Sequence, residues 1–148
     1  MKKYLVESIK NIISLDVPLV SNLANASKLI YDSFDNVCWA GFYICYEDQD
    51  AMYLGPYQGP IACTKISFDR GVCGACVRNK KSILVPNVHD FKDHIACYSL
   101  TNSEVVVPIM KGDIVLGVID LDSTLYNNFT EEDVKILEDL AVVISQLF

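Results

Sequence analysis

Two β-branched runs separated by only seven residues constrain this fold more than any other feature. SEVVVPI (103–109) and GVIDLDS (117–123) flank a short span in which Lys111-Gly112-Asp113 holds the only turn residues. So close a pair can only fold back on itself as a β-hairpin over Glu104–Met110 and Ile114–Ser123. The runs also carry three carboxylates, Glu104, Asp120 and Asp122. Asp120 and Asp122 alternate on one strand and project from one face. If all three turn residues form the loop, Met110 pairs with Ile114, and Glu104 falls opposite Asp120 on that face. A two-residue Gly112-Asp113 turn shifts the register by one and sends Glu104 to the other face. Both strands are apolar on both faces, so patterning leaves the two registers open. Acids among Val105, Val106, Val107, Ile119 and Leu121 are costly to bury unless paired, and a ligand ammonium group would pair them. Crowding would also raise the proton affinity of one acid, making a proton donor.

Helices bracket this β-rich centre. Residues 4–14 place Leu5, Ile9, Ile12 and Ile13 on one face, and a second helix runs from about Pro18 to Phe34, with Asp16 as its expected cap. Strand-like runs follow at Val37–Tyr46, Ala51–Gly55, Ala62–Phe68 and Ile83–Pro86, with a short helix over Gly71–Asn79. Residues 87–103 are polar and irregular, a pattern expected of a functional loop. Thr130-Glu131-Glu132-Asp133 has the form of a capping box opening a final helix whose stripe is Val134, Leu137, Ala141, Ile144 and Phe148. The order implies an α+β fold, a mainly antiparallel sheet with the terminal helices packed on one face. These helices also offer a surface through which two chains could pair. At 148 residues, without repeats or linkers, the expectation is one domain over 1–148.

The net charge of −7, with no Lys/Arg cluster to offset it, argues against nucleic acid as a partner. The opening MKKYLVESIKNIISLDVPLV starts like a signal peptide, but Glu7, Lys10, Asn11 and Asp16 break its apolar stretch, and no segment is long enough to span a membrane. A cytoplasmic protein is expected, and there several thiols in a small chain argue for reactive or metal-binding sulfur over structural disulfides. Six cysteines are present. Cys38 and Cys45 lie in an aromatic strand and are assigned to packing. Cys97 sits in the polar loop three residues after His94, which could assist a thiolate, though the spacing on a loop does not fix their geometry. Cys73 opens the short helix after Gly71, where amide groups would favour its ionised form. Cys73-x2-Cys76 and His94-x2-Cys97 have the arithmetic of a zinc site, but CGACV reads as a helix start rather than a metal knuckle, and no metal is assigned. Trp39 and Tyr43, four apart on a strand, share a face; packing is the default, and an aromatic wall for a small ligand is the alternative.

The set CWAGFY (38–43), LGPYQGPIACTKI (54–66), RGVCGAC (70–76), HIACY (94–98), SEVVVPI and GVIDLDS resembles the free methionine-(R)-sulfoxide reductase family, built on a GAF domain. The match runs over roughly residues 36–148. The resemblance implies that Cys97 attacks the sulfoxide sulfur, that Cys63 resolves the resulting sulfenic acid as a disulfide, and that Cys73 is an alternative resolver. It implies that Glu104, Asp120 and Asp122 hold the amino group and polarise or protonate the sulfoxide oxygen, while Trp39 and Tyr43 enclose the methyl-sulfoxide end. It further implies free L-methionine-(R)-sulfoxide as substrate, a thioredoxin-like reductant, a homodimer and no metal or organic cofactor, and it favours the three-residue hairpin turn. A non-catalytic GAF binding module is the alternative. Tyr98 stands where the family usually has Asp after the catalytic cysteine, and Cys76 lies outside the family pattern.

Overall fold

The computed structural model describes all residues, Met1–Phe148. Its elements are α1 (Leu5–Ile12), α2 (Leu19–Ser33), β1 (Val37–Cys45), β2 (Ala51–Gln58), β3 (Lys65–Ser67), α3 (Gly71–Asn79), β4 (Ile83–Val85), β5 (Ser103–Lys111), β6 (Ile114–Ser123) and α4 (Glu131–Ser145). The strands form one six-stranded sheet in the order β3-β2-β1-β6-β5-β4, with every neighbouring pair antiparallel. No helix is long and apolar enough to cross a membrane.

Alternation along the central strands sorts side chains between two faces. Ala40, Phe42 and Ile44 of β1, Val105, Val107 and Ile109 of β5, and Ile119 and Leu121 of β6 point to the side covered by α1, α2 and α4. That core has 20 buried residues and is continuous with Leu5, Ile9, Leu23, Ile30, Leu137, Leu140 and Ile144 from the helices. The expected packing of the terminal helices on one face is therefore what the chain adopts. The opposite face holds a smaller core of 11 buried residues, with Trp39, Tyr43, Val106 and Val118 beneath α3. The residues that alternate with the large core's strands thus line the other side.

Helix termini follow local chemistry in one case and not in the other. At α4 the Thr130 hydroxyl accepts from the Asp133 N–H at 3.2 Å, and the Asp133 carboxylate accepts from the Thr130 N–H at 2.9 Å, completing the expected capping box. Asp133 also takes the Lys2 ammonium at 2.6 Å, tying the start of the chain to this helix. At α2 the expected Asp16 cap is absent. Pro18 is the N-cap residue and makes no side-chain cap bond, and the buried Asn22 instead fixes the entry by accepting from the Ser14 N–H and donating to the Ser14 carbonyl.

Strand lengths depart from expectation where bulges intervene. β2 continues past Gly55 to Gln58, because Pro56 lies at a bulge opposite Phe42, beyond the stretch paired with β3, where its missing N–H breaks no ladder bond. The expected Ala62–Phe68 strand shrinks to Lys65–Ser67, since residues before it leave the sheet edge to carry Cys63 toward the loop that holds Cys97.

The hairpin corrects the register inferred from family resemblance. Lys111 pairs with Ile114 around a two-residue Gly112-Asp113 turn, not a three-residue one. Gly112 has φ of +59° and Asp113 does not have positive φ, the pattern of a type II′ turn. By itself that turn would put Glu104 on the wrong face. A bulge restores the parity: between the pairs Ile109–Gly117 and Met110–Val115, Leu116 is the extra residue on β6. Glu104 then pairs with Asp122 rather than Asp120, and all three acids share one face.

Candidate active site

Cross-strand pairing builds the floor of the site. Asp122 lies between Trp39 on β1 and Glu104 on β5, and one step along Asp120 lies between Gly41 and Val106. Glu104 and Asp120 are diagonal neighbours, within reach of one another. Gly41 bears no side chain opposite Asp120, and a Cβ there would collide with Tyr57 and the Pro56 carbonyl. The close approach of β1 and β2 at this point brings the Tyr57 ring against Trp39, stacked with centroids 5.2 Å apart, and Tyr43 also stacks on Trp39 at 5.8 Å.

The roof comes from α3 and the loop after β4. Cys73, Val72 and Gly71 of α3, and His94, Ile95, Cys97, Tyr98 and Thr101 of the loop, line a cavity of about 40 Å³ with Trp39, Tyr43, Glu104, Asp120 and Asp122. Cys97 is disulfide-bonded to Cys63, with their Cα atoms 5.5 Å apart, and the Tyr43 hydroxyl donates to the Cys63 carbonyl at 3.0 Å. Seven of the eight residues singled out in the sequence line the cavity, and the eighth, Cys63, is covalently bound to its rim.

Burial dominates the electrostatics. Glu104 is 6% exposed and Asp120 5%. Desolvation pushes the carboxyls of Glu104, Asp120 and Asp122 well above the ordinary range, and like charges add to it: Asp122 acts on Glu104, Glu104 on Asp120, and Asp120 on Asp122. Burial and mutual repulsion therefore favour the protonated form of these carboxyls in the absence of a cation. His94 approaches Glu104 at 3.6 Å, and burial lowers its pKa. Both shifts favour neutral partners, so this is a close approach rather than an ion pair. His94 meets Glu104, and it lines the same cavity as Cys97, whose sulfur is held in the disulfide.

Cys73 also differs from expectation. It is 4% exposed, and its Sγ–H donates to Asp120 Oδ2 at 3.4 Å. Burial, with Asp120 and Glu104 adding to it, raises its pKa well above the usual thiol value. Desolvation and two carboxyls outweigh the dipole of a nine-residue helix, so Cys73 is a thiol rather than an activated thiolate. Burial likewise raises Cys38 and Cys45 to about 11, in keeping with their assignment to packing. The spacing-based zinc set does not gather: Cys97 is bonded to Cys63, and Cys76 turns to the Val106 carbonyl.

Sequence reasoning missed Tyr57 and Thr101. Tyr57 lies in a Pro-containing stretch that does not read as strand, and Thr101 is an ordinary loop residue until the fold buries it. Thr101 matters because only three buried side-chain polar atoms lack a hydrogen-bond partner: Trp39 Nε1, Thr101 Oγ1 and Asp120 Oδ1. All three residues line this one cavity. Thr101 has only the weak Cys38 thiol beside it, and Asp120 can share a proton with Glu104, so the Trp39 N–H is the group left fully open; the three together mark a place shaped for a polar ligand.

Comparison with known proteins agrees with this geometry. A family model for the GAF domain matches residues 23–148. The chain is 39% identical over 132 residues to the free methionine-R-sulfoxide reductase of Escherichia coli, spanning 89% of this chain and 79% of the relative. It is 42% identical over 133 residues to the enzyme of the same name from Saccharomyces cerevisiae, spanning 86% and 74%. The crystal structure of the Neisseria meningitidis free methionine-R-sulfoxide reductase, solved with its substrate, superposes with a TM-score of 0.93 at 36% identity, covering 99% of this chain and 87% of that one. An α+β GAF fold, a proton-holding acid cluster beneath a disulfide and these relatives converge: the chain belongs to the free methionine-R-sulfoxide reductase family of GAF-domain proteins.

Proposed function

We propose that this protein reduces free L-methionine-(R)-sulfoxide to L-methionine. The observation that carries this reading is the coincidence of the three unpartnered buried polar atoms, the acid cluster and the Cys63–Cys97 pair in one small cavity. An amino acid sulfoxide answers each of them. Its ammonium neutralises carboxylates among Glu104, Asp120 and Asp122, releasing the protons that burial holds there. Its sulfoxide oxygen requires a proton as the S–O bond breaks, and a carboxyl kept protonated by its neighbours supplies one. Trp39 and Tyr43 offer an apolar wall to the methyl end, with the Trp39 N–H free to donate.

The chemistry balances in three steps. The Cys97 thiolate attacks the sulfoxide sulfur, the oxygen passes to Cys97 as a sulfenic acid with uptake of a proton, and methionine leaves. The Cys63 thiol displaces that oxygen as water and closes the disulfide. An external dithiol of the thioredoxin type then exchanges with the disulfide, returning two thiols and leaving as its own disulfide. Cys73, buried and bonded to Asp120, would enter exchange only after the loop bearing Cys97 moves. We assign these steps to a homodimeric protein with no metal or organic cofactor, on the strength of family membership.

The test is oxidation of NADPH through thioredoxin reductase and thioredoxin, with each sulfoxide epimer offered separately. Consumption with the R epimer alone, lost in Cys97→Ser, is the expected result. Folded, reduced protein that consumes nothing with either epimer would favour the alternative, a GAF module that binds a small molecule without turning it over.

A further inference from the structure

A thiol and two carboxyl groups close together in a buried pocket are more than a cage for an ammonium ion. One ligand atom each from Cys73, Glu104 and Asp120 lies within 4.8 Å of the others, and all three residues are buried. They form the only such grouping of His, Cys, Asp and Glu in the chain. A tetrahedral zinc ion, with a bond of about 2.3 Å to sulfur and about 2.0–2.2 Å to oxygen, separates those two ligands by about 3.5 Å. Cys73 Sγ and Asp120 Oδ2 stand 3.4 Å apart. Asp120 Oδ1 is buried and accepts from no N–H or hydroxyl group; a proton shared with Glu104 is what a metal would displace there. His94, at 3.6 Å from Glu104, stands on the cluster's edge as a candidate fourth donor.

We propose that Cys73, Glu104 and Asp120 form an inhibitory site for a thiophilic divalent cation, with Zn²⁺ the best match to the donor set. Soft sulfur with hard carboxylate oxygens and an adjacent imidazole suits zinc, whereas Mg²⁺ and Ca²⁺ take all-oxygen shells. Coordination is a proton exchange, not a redox step: Cys73 loses its thiol proton and the carboxyls lose theirs as the metal bonds form. Affinity should therefore rise with pH. Tyr43, Cys76, Asp122 and His94 also face the cluster, so the pH dependence belongs to the group and not to Cys73 alone. If the same acids receive the substrate's amino group, as the proposed function holds, zinc and the sulfoxide compete.

The disulfide gives the test its selectivity. Oxidised protein, with the sulfurs of Cys63 and Cys97 unable to ligate, is titrated calorimetrically with Zn²⁺ and spectroscopically with Co²⁺. The proposal expects one ion per chain, proton release on binding, and a thiolate-to-cobalt charge-transfer band in the near ultraviolet. Cys73→Ser and Asp120→Asn should each weaken binding by more than about tenfold, a loss that even outer-shell changes reach. Cys45→Ser, outside the donor set, should bind as the parent does. Absence of saturable binding, absence of the cobalt band, or binding unchanged in Cys73→Ser and Asp120→Asn would overturn the site. In the reductase assay zinc should raise the apparent KM for the sulfoxide without lowering kcat. Metal-free protein without turnover would count against the reductase reading while leaving the binding titration intact.

Discussion

The two faces of the sheet are built from the same strands and obey opposite rules. On the helix side, alternate residues of β1, β5 and β6 are aliphatic or Phe and meet α1, α2 and α4 in a core of 20 buried residues. On the other side the intervening residues include Glu104, Asp120 and Asp122, and every buried side-chain polar atom without a partner belongs to the cavity there. One face has its groups satisfied and contributes stability. The other packs a smaller core of 11 buried residues but sets among them buried acids and open polar atoms, which oppose folding and await a ligand. Stability and function are thus divided by the two-residue period of the strands.

Substitutions should fall on one side of that division or the other. The largest effect expected is on the site face: Cys97→Ser should reduce sulfoxide turnover below detection in the thioredoxin-coupled assay, with thermal stability of the reduced protein little changed. On the helix face, Leu137→Ala removes a fully buried side chain and should cost about 2–5 kcal/mol in denaturant unfolding. The fraction that remains folded should keep its kcat/KM.

Glu104→Gln and Asp120→Asn should do the reverse, gaining about 1 kcal/mol or more in stability while losing activity, because each removes a buried ionisable group. The pH dependence has a definite sign. These carboxyls bind protons more tightly in the folded than in the unfolded protein, so the folded state carries more protons above the ordinary carboxylate range near pH 4. Their contribution is present at low pH and is lost as pH rises toward the raised folded values. The stability advantage of Asp120→Asn should accordingly widen from pH 5 to pH 8 in thermal melts, and a constant difference would count against the buried-acid account. The smallest effect is Thr130→Ala, which breaks the capping box of α4 and should cost about 1 kcal/mol with no change in KM.

Much of this division can be read in the sequence. The valine-rich run 105–107 and the spacing of Asp120 and Asp122 locate both the hairpin and two of the acids, and the Thr130–Asp133 capping box marks the last helix to the residue. Long-range geometry is what the sequence hides. The turn at Gly112-Asp113 and the bulge at Leu116 each shift register by one, and only together do they return Glu104 to the face of Asp120 and Asp122. Neither shift is visible where both strands are apolar throughout. Cys73 departs from its local signal for a related reason: the start of a helix favours a thiolate, but the carboxyls it meets come from residues 104 and 120. Tyr57 and Thr101 carry no local signal, and their place beside the site is a product of the fold.

The central claim, that the buried acids read a free ammonium group, is tested most directly by comparing kcat/KM for L-methionine-(R)-sulfoxide with that for its N-acetyl derivative, using the wild-type protein and one reductant. Acetylation removes the charge and leaves the sulfoxide untouched. The account predicts a loss of roughly a hundredfold or more, as expected when about 3 kcal/mol of buried charge pairing is removed. Comparable efficiency on both substrates would contradict it.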